Sequence, residues 1–193
     1  MIFDYPSHAR QRRHGPKGYV DYQSFKPWLR DEFTFRCVYC LCREPWFPDG
    51  DGSFSVDHLV PQSVAPERAC DYENLVYACR QCNSVKRATT GVPDPCADPY
   101  GLHLEVLADG TVQGLTPQGK LLIRFCRLDR PRLNEFRHGI LELFRDLQNH
   151  NGQEAAELRR RFFGLPPNLP TLRNLKPPGG NDRFEGVEKG PTA

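Results

Sequence analysis

The stretch FRCVYC, residues 35–40, contains a C-x-x-C pair, and ACRQC, residues 78–82, contains a second one. Two sulfurs three positions apart can bind one tetrahedral ion, and four thiolates complete such a site. A C-x-x-C pair closes too small a loop to be a useful structural disulfide. One pair could be a redox motif, but two pairs in one chain favour zinc. The pattern therefore predicts a structural zinc site formed by Cys37, Cys40, Cys79 and Cys82, with a disulfide or redox role as the alternative.

The other four cysteines do not show a metal-binding spacing. Cys42 could replace Cys40 as a ligand, although its distance from Cys37 in sequence is less regular. Cys70, Cys96 and Cys126 are interpreted as ordinary buried or free thiols.

The composition is that of one globular domain with arms. The chain has 193 residues, of which 38% are hydrophobic and 26% charged, and a chain of this length can bury a core without stabilising cross-links. No apolar run is long enough to cross a bilayer, and the N-terminus lacks the order of a signal peptide. We therefore expect a cytoplasmic protein without a membrane partner, in which thiols stay reduced.

Basic residues are unevenly distributed although the net charge is only +2. One cluster lies in the N-terminal arm, and a second, Arg80, Lys86 and Arg87, lies beside the second cysteine pair. Either cluster would suit a polyanion, or it could simply be a solvated surface. The members of the arm cluster are Arg10, Arg12, Arg13 and Lys17.

Four segments can be distinguished along the chain. They are a basic arm (1–21), a core with the cysteine pairs (22–92), an extension with a hairpin and helices (93–164), and a tail rich in proline and glycine that we expect to be disordered (165–193). The predicted fold class is α+β.

Alternation and turn residues predict the elements within these segments. Strands are expected at 54–60 and 74–79, and a helix at 83–90 after a first helix that begins near Pro27. In the extension we expect a β-hairpin at 102–116 that turns at Asp109-Gly110, followed by helices at 117–128, 130–149 and 152–164. Thr116 is a suitable N-cap for the first of these.

Asp57, His58 and Asn83 could form a small polar cage if the zinc site holds the strand near the helix. A carboxylate and an amide oxygen suit a hard ion such as Mg²⁺ that keeps several waters. A neutral imidazole beside such an ion can take a proton from water, and the ion can stabilise the leaving oxygen of a phosphodiester. Lys86 and Arg87 could hold flanking phosphates. Taken singly, an Asp-His pair is usually exposed and an Asn at a helix start is usually a cap.

The order C-x-x-C, VDHLVPQS (56–63) and ENLVYACRQCNSVK (73–86) resembles the HNH endonuclease family in its zinc-bound form. The resemblance covers roughly residues 35–90. It implies a ββα-metal, treble-clef-like core with a structural four-cysteine zinc, plus a second divalent ion, Mg²⁺ or Mn²⁺.

The resemblance also implies roles for individual residues. His58 matches the general base that activates water, Asp57 matches a ligand of the catalytic ion, and Asn83 matches the second ligand. Asn74 matches the middle Asn, which braces the hairpin and helps to orient the base. Two departures stand out: VAPERACDY (64–72) replaces the usual glycines of the connecting loop, and Arg87 occupies a slot where some members have a further His.

The leading hypothesis is therefore a metal-dependent endonuclease that hydrolyses DNA, with His58 as base and the ion at Asp57 and Asn83. One alternative is a nuclease subunit of a larger assembly, for example in anti-phage defence, with a protein partner or a homodimer. Another is a non-catalytic zinc module that binds nucleic acid, but four cysteines alone would leave Asp57, His58 and Asn83 unexplained.

Overall fold

The computed structural model describes residues 2–184, which form a mixed α+β fold. Within this range each strand belongs to a two-stranded antiparallel sheet: β1 pairs with β6, β2 with β3, and β4 with β5. The strands are β1 (His14–Pro16), β2 (Phe54–His58), β3 (Leu75–Cys79), β4 (Leu104–Val106), β5 (Val112–Gly114) and β6 (Asn181–Phe184). The helices are α1 (Lys26–Glu32), α2 (Arg80–Lys86), α3 (Pro117–Cys126), α4 (Pro131–Gln148) and α5 (Gln153–Phe163).

The predicted ββα unit is confirmed. Strands β2 and β3 pair from Phe54 opposite Cys79 to His58 opposite Leu75, and α2 follows β3 without a loop. The helix begins at Arg80, three residues before the predicted start, because Cys79 acts as its N-cap: its sulfur accepts a hydrogen bond from the Cys82 backbone N–H. The helix also ends early, since Arg87 has a φ of 52°.

Aromatic packing places the hairpin against α1. Phe54 and Tyr77, on facing strands, stack with ring centroids 5.0 Å apart. Trp28 and Leu29 of α1 are buried in the same core, where α1 contacts β3. Because β2 is covered on this side, its C-terminal end, with Asp57 and His58, is held in one position.

The N-terminal arm covers the core instead of extending from it. The side chain of Arg12 is almost completely buried and donates to the Leu75 carbonyl oxygen at 2.9 Å, and it also pairs with Asp94 at 3.3 Å. Arg10 forms an ion pair with the buried Glu32. The arm is therefore part of the folded unit.

The described part of the tail that we expected to be disordered, residues 165–184, contains strand β6, which pairs with β1 of the arm. Asn168 accepts a hydrogen bond from Arg30 at 3.1 Å. Proline- and glycine-rich composition reports only local preference, whereas these contacts join residues more than a hundred positions apart. Residues 185–193 of the predicted tail lie outside the described residues.

The extension has the predicted hairpin followed by three helices. Gly110 turns the hairpin with a φ of 80°, and a Cβ there would lie 2.3 Å from the Asn134 carbonyl oxygen, so glycine is required. Thr116 caps α3 by accepting from the Gly119 N–H. Helix α3 packs against both β5 and α2, which ties the extension to the ββα unit. None of the helices within residues 2–184 has the length and apolar character of a membrane span.

Candidate metal centre and hydrolytic site

The four predicted zinc ligands converge. The sulfur atoms of Cys37, Cys40, Cys79 and Cys82 all lie within 4.8 Å of one another, and all four residues are buried. The Cys40 and Cys79 sulfurs are 3.8 Å apart. Four ligands at the usual Zn–S distance of about 2.3 Å, arranged as a tetrahedron, would have sulfurs about 3.8 Å apart. The cluster therefore has the composition and size to hold zinc.

The ionisation of these thiols also favours a cation. Burial raises the pKa of Cys37, whereas thiol hydrogen bonds from Cys37, Cys40 and Cys79 hold the pKa of Cys82 well below its usual range. Four sulfurs confined in one buried space repel one another once more than one is ionised. A divalent ion among them removes this repulsion and lets all four ionise.

Cys42 does not replace Cys40. Its backbone carbonyl oxygen accepts from the Cys37 N–H at 2.9 Å, which closes the first knuckle, and its sulfur is not one of the four in the cluster. Backbone closure explains why a third cysteine can lie within the knuckle without being a ligand.

Asp57 lies at the end of β2 with its carboxylate almost fully enclosed. Its Oδ2 accepts from the Tyr39 hydroxyl at 2.6 Å, and its Oδ1 accepts from the Lys86 ammonium at 3.3 Å and from the His58 backbone N–H at 2.8 Å. Burial raises the pKa of Asp57, and the nearby Lys86 charge opposes that shift. Three of about four lone-pair positions are thus occupied, which leaves one for a metal ion.

His58 has one nitrogen committed and one available. Its Nε2 lies 3.0 Å from the Ala69 carbonyl oxygen, and because a carbonyl only accepts, Nε2 must carry the proton. The Gln62 amide nitrogen is placed 3.2 Å from the same atom; two donors cannot pair, so this amide has to be rotated to present its oxygen to the Nε2–H. The ring of Tyr22 packs edge-on against the imidazole at 4.8 Å. In a neutral ring Nδ1 is then the acceptor, and no described residue donates to it.

The surroundings of His58 favour the neutral imidazole. Burial lowers the pKa of His58, while the Ala69 hydrogen bond and the Asp57 charge partly oppose the shift. A neutral ring that is held in one tautomer by a backbone carbonyl has the form a general base requires.

Asn83 lies on the face of α2 that packs on β2. Its Nδ2 donates to the Val56 carbonyl oxygen at 3.2 Å and to the Ser55 hydroxyl at 2.9 Å. The carbonyl partner identifies this atom as the nitrogen, so Oδ1 is the remaining donor atom for a metal. It forms no hydrogen bond within the described residues.

Asn74 braces the loop that follows β2, and its side chain forms no hydrogen bond to His58 or Asp57 in the described part of the chain. Its Oδ1 accepts from the Val60 N–H at 2.8 Å, and its Nδ2 donates to the carbonyl oxygens of Val60 and Arg68. Arg68 immediately precedes Ala69, whose carbonyl binds His58. These bonds connect Asn74 to the loop that carries the partner of His58.

Lys86 does not fit the expected phosphate contact. Its side chain is fully buried, and its ammonium donates to the His58 carbonyl oxygen at 2.6 Å as well as to Asp57. Arg80 and Arg87, by contrast, are exposed. The expectation for Lys86 is wrong in this structure because position 86 lies on the inner face of α2, directly over Asp57.

The sequence reasoning also missed Tyr39, Tyr22 and the Ala69 carbonyl. Tyr39 lies between the two cysteines of the first knuckle and reaches Asp57 because the convergence of the four cysteines brings this knuckle against β2. Ala69 contributes its backbone carbonyl oxygen, and a backbone contact does not depend on the residue type that the sequence shows. No local signal could have identified these contacts.

We expect Lys86→Met to destabilise the fold, whereas Arg87→Met, one position further, should not. Removing Lys86 leaves the buried Asp57 carboxylate without its cationic partner, and breaking a buried ion pair typically costs about 3–5 kcal/mol. Substitution of an exposed side chain usually changes stability by less than about 0.5 kcal/mol. Urea denaturation of both variants measures the difference. Equal stability would contradict the structural role given to Lys86.

Comparison with known proteins agrees with this geometry. Residues 37–89 match the family model described as HNH endonuclease. That range contains both cysteine pairs, the β2–β3 hairpin and α2. A stretch of 64 residues is 28% identical to Septu protein PtuB of Bacillus thuringiensis. The resemblance recognised in the sequence is therefore confirmed: an HNH endonuclease domain lies at residues 37–89.

The comparisons reach only part of each protein. The similarity to Septu protein PtuB covers 33% of this chain and 24% of that protein, so the chain spans about a quarter of its relative's length. Helices α3 to α5 lie outside the HNH match. The findings support a nuclease-type function.

Proposed function

We propose that this chain is a metal-dependent endonuclease that hydrolyses DNA phosphodiester bonds, with His58 as the general base. The observation that carries the proposal is the commitment of the His58 Nε2 to the Ala69 carbonyl at 3.0 Å, within the segment that matches the HNH model. It leaves Nδ1 as the basic nitrogen. A structural zinc module would have no need for a buried histidine held in a single tautomer.

In the proposed reaction, Nδ1 of His58 takes a proton from the attacking water. The lowered pKa of His58, which results from burial, keeps the imidazole neutral and ready to accept near neutral pH. The Ala69 carbonyl and the Tyr22 ring fix the direction in which Nδ1 points. Asn74 supports this geometry by fixing the loop that carries Ala69.

Asp57 and Asn83 would hold the divalent ion, Mg²⁺ or Mn²⁺. The fit rests on the remaining lone-pair position of Asp57 and on Asn83 Oδ1, both oxygen donors. When bound, such an ion stabilises negative charge on the phosphate and on the leaving oxygen. Two protein ligands suit an ion that keeps most of its waters.

Lys86 contacts both Asp57 and His58. The ammonium pairs with the carboxylate and donates to the His58 carbonyl oxygen at 2.6 Å, so a single buried cation holds the Asp57 side chain and the His58 backbone. Substrate phosphates are left to exposed groups on the outer face of α2, namely Arg80 and Arg87.

Cleavage of supercoiled plasmid tests the proposal. The purified full chain is incubated with Mg²⁺, with Mn²⁺, or with enough EDTA to remove either, and its zinc content is measured afterwards. We expect nicked circles with either ion, since a single site cuts one strand, and none with EDTA; a parallel reaction in metal-free buffer without added ion or chelator should also show no nicking while zinc stays bound. An intact plasmid under every condition, with zinc present and the protein folded, would overturn the proposal.

A further inference from the structure

A concentration of unneutralised positive charge lies outside the HNH domain. Residues 117–132, which span α3 and the turn into α4, contain five Lys or Arg residues and one acidic residue, Asp129. This segment carries a net charge of +4 in a chain whose total is +2. The N-terminal arm has four Lys or Arg residues, but there they are paired.

Most of the other basic residues singled out in the sequence are paired within the protein; the exceptions, Arg80 and Arg87 at the two ends of α2, are exposed. Arg12 is buried against Leu75 and Asp94, and Arg13 pairs with Asp31 at 3.3 Å. Lys17 pairs with Asp182, and Lys86 pairs with Asp57. These groups are already neutralised and contribute little to binding an external polyanion.

Three cations of this segment are not neutralised in the described chain: Lys120, Arg124 and Arg127. All three are exposed, and none pairs with a carboxylate within residues 2–184. They are four and three positions apart along α3 and its C-cap, so they share one helix face. Together with Arg130 and Asp129, they line an open surface cavity with a volume of about 560 Å³. We call this cavity the α3 notch.

Arg130 connects the α3 notch to the metal centre. Its Nη1 donates to the Cys126 carbonyl oxygen at 2.9 Å, and its Nη2 donates to the Cys82 sulfur at 3.6 Å. Its charge is thus directed at the thiolate cluster, which leaves three free cations in the notch. Because Cys82 lies in the first turn of α2, the notch adjoins the helix that carries Asn83.

We propose that the α3 notch binds successive phosphates of the nucleic-acid backbone and so positions the substrate of the HNH site. This inference rests on the proposed function. A helix rises 1.5 Å per residue, so Lys120 to Arg127 spans about 10 Å, close to the rise of three nucleotides at 3.4 Å each. Arginine binds phosphate through paired donors, and contacts of this kind hold a substrate without reading its sequence.

Binding of a labelled 30-base-pair DNA duplex, measured by fluorescence anisotropy, tests the α3 notch. The triple variant Lys120→Gln, Arg124→Gln, Arg127→Asn is made in a His58→Ala background without added divalent ion, so no cleavage occurs. Asparagine is chosen at position 127 because its φ of 45° is left-handed. The control Arg145→Gln, Arg160→Gln, Arg161→Gln removes the same charge from exposed sites on α4 and α5.

We expect the notch variant to bind DNA at least about 10-fold more weakly at 0.1 M salt, and the slope of log K against log salt to fall by about 2–3, since each phosphate contact contributes about 0.9. The control should bind nearly as the parent does. Equal weakening by both triples, or no weakening by either, would overturn the proposal. The double variant Lys120→Gln, Arg124→Gln, on the exposed helix face, should show a smaller loss of the same kind if the triple folds poorly.

The outcome separates this inference from the proposed function. If the wild type does not nick plasmid but the notch variant loses DNA binding, the α3 notch stands and the nuclease proposal falls. If the wild type nicks DNA, and the three notch substitutions placed in the wild-type background leave both binding and nicking unchanged, the α3 notch falls. An RNA duplex of the same sequence, run in parallel, shows whether the notch distinguishes the two backbones; a loss confined to RNA would overturn the assignment to DNA.

Discussion

Cys79→Ser will give protein without the structural zinc ion and with a much less stable fold. Cys79 is both one of the four clustered sulfurs and the N-cap of α2, since its sulfur accepts from the Cys82 N–H at 3.4 Å. Structural zinc contributes about 10–16 kcal/mol of apparent binding free energy in small zinc domains, so losing the site should lower the free energy of unfolding by at least about 3 kcal/mol. Elemental analysis and thermal unfolding measure the two effects.

Cys42→Ser provides the matched control for this experiment. Cys42 is equally buried and lies two residues from Cys40, but its contribution to the knuckle is its backbone carbonyl, which serine preserves. We therefore expect one zinc per chain and only a small change in melting temperature. Full zinc occupancy in Cys79→Ser, or loss of zinc in Cys42→Ser, would show that the ligand set is not the one assigned here.

His58→Ala is expected to reduce plasmid nicking by about 10²–10⁴-fold, which is the usual contribution of a general base. The variant removes the nitrogen that accepts the water proton and leaves Asp57, Asn83 and the four sulfurs in place. Initial rates with Mg²⁺ under single-turnover conditions measure the loss. Zinc content and melting temperature are recorded for the same preparation, because the imidazole also packs against Tyr22.

His150→Ala is a suitable comparison, since His150 is exposed just after α4 and its side chain bonds only to the Asp146 carbonyl oxygen in the described structure. It should cleave at the wild-type rate. If His58→Ala folds, keeps its zinc and nicks as fast as His150→Ala, then His58 is not the base and the nicking must come from another group or a contaminant.

Much of the candidate site was predictable because its residues lie at characteristic intervals within one short stretch of the sequence. Each C-x-x-C pair can be recognised as a metal-binding pattern from four consecutive residues, and in the structure the four sulfurs lie within 4.8 Å of one another. The Asp57-His58 pair and Asn83 were recognisable because they lie at set distances from those cysteines. The ββα order followed from the same stretch, since alternation, a capping position and a helix lie within about thirty residues of one another.

The roles of the basic residues were not predictable in this way. Lys86 and Arg87 are neighbours in sequence, yet one is fully buried over Asp57 and the other is exposed. Helix α2 begins three residues earlier than expected, and this start decides which positions face β2. A basic residue identified in the sequence is therefore only a candidate for contacting phosphate until the structure shows which way its helix face points and which residues surround it.

By itself, the sequence predicted the four cysteines that converge and the ββα order, because these depend on residue type and short-range spacing, and its resemblance to the HNH family indicated His58 as the base that we propose. Only the tertiary structure decided that Nδ1 of His58 is the available nitrogen, that Lys86 is a structural partner of Asp57, and that the three exposed cations of the α3 notch are not paired with carboxylates. These properties depend on atoms distant in sequence: the Ala69 carbonyl, the inner face of α2, and the carboxylates that neutralise the arm. Burial and pairing set the charge each group presents, and both are products of the fold.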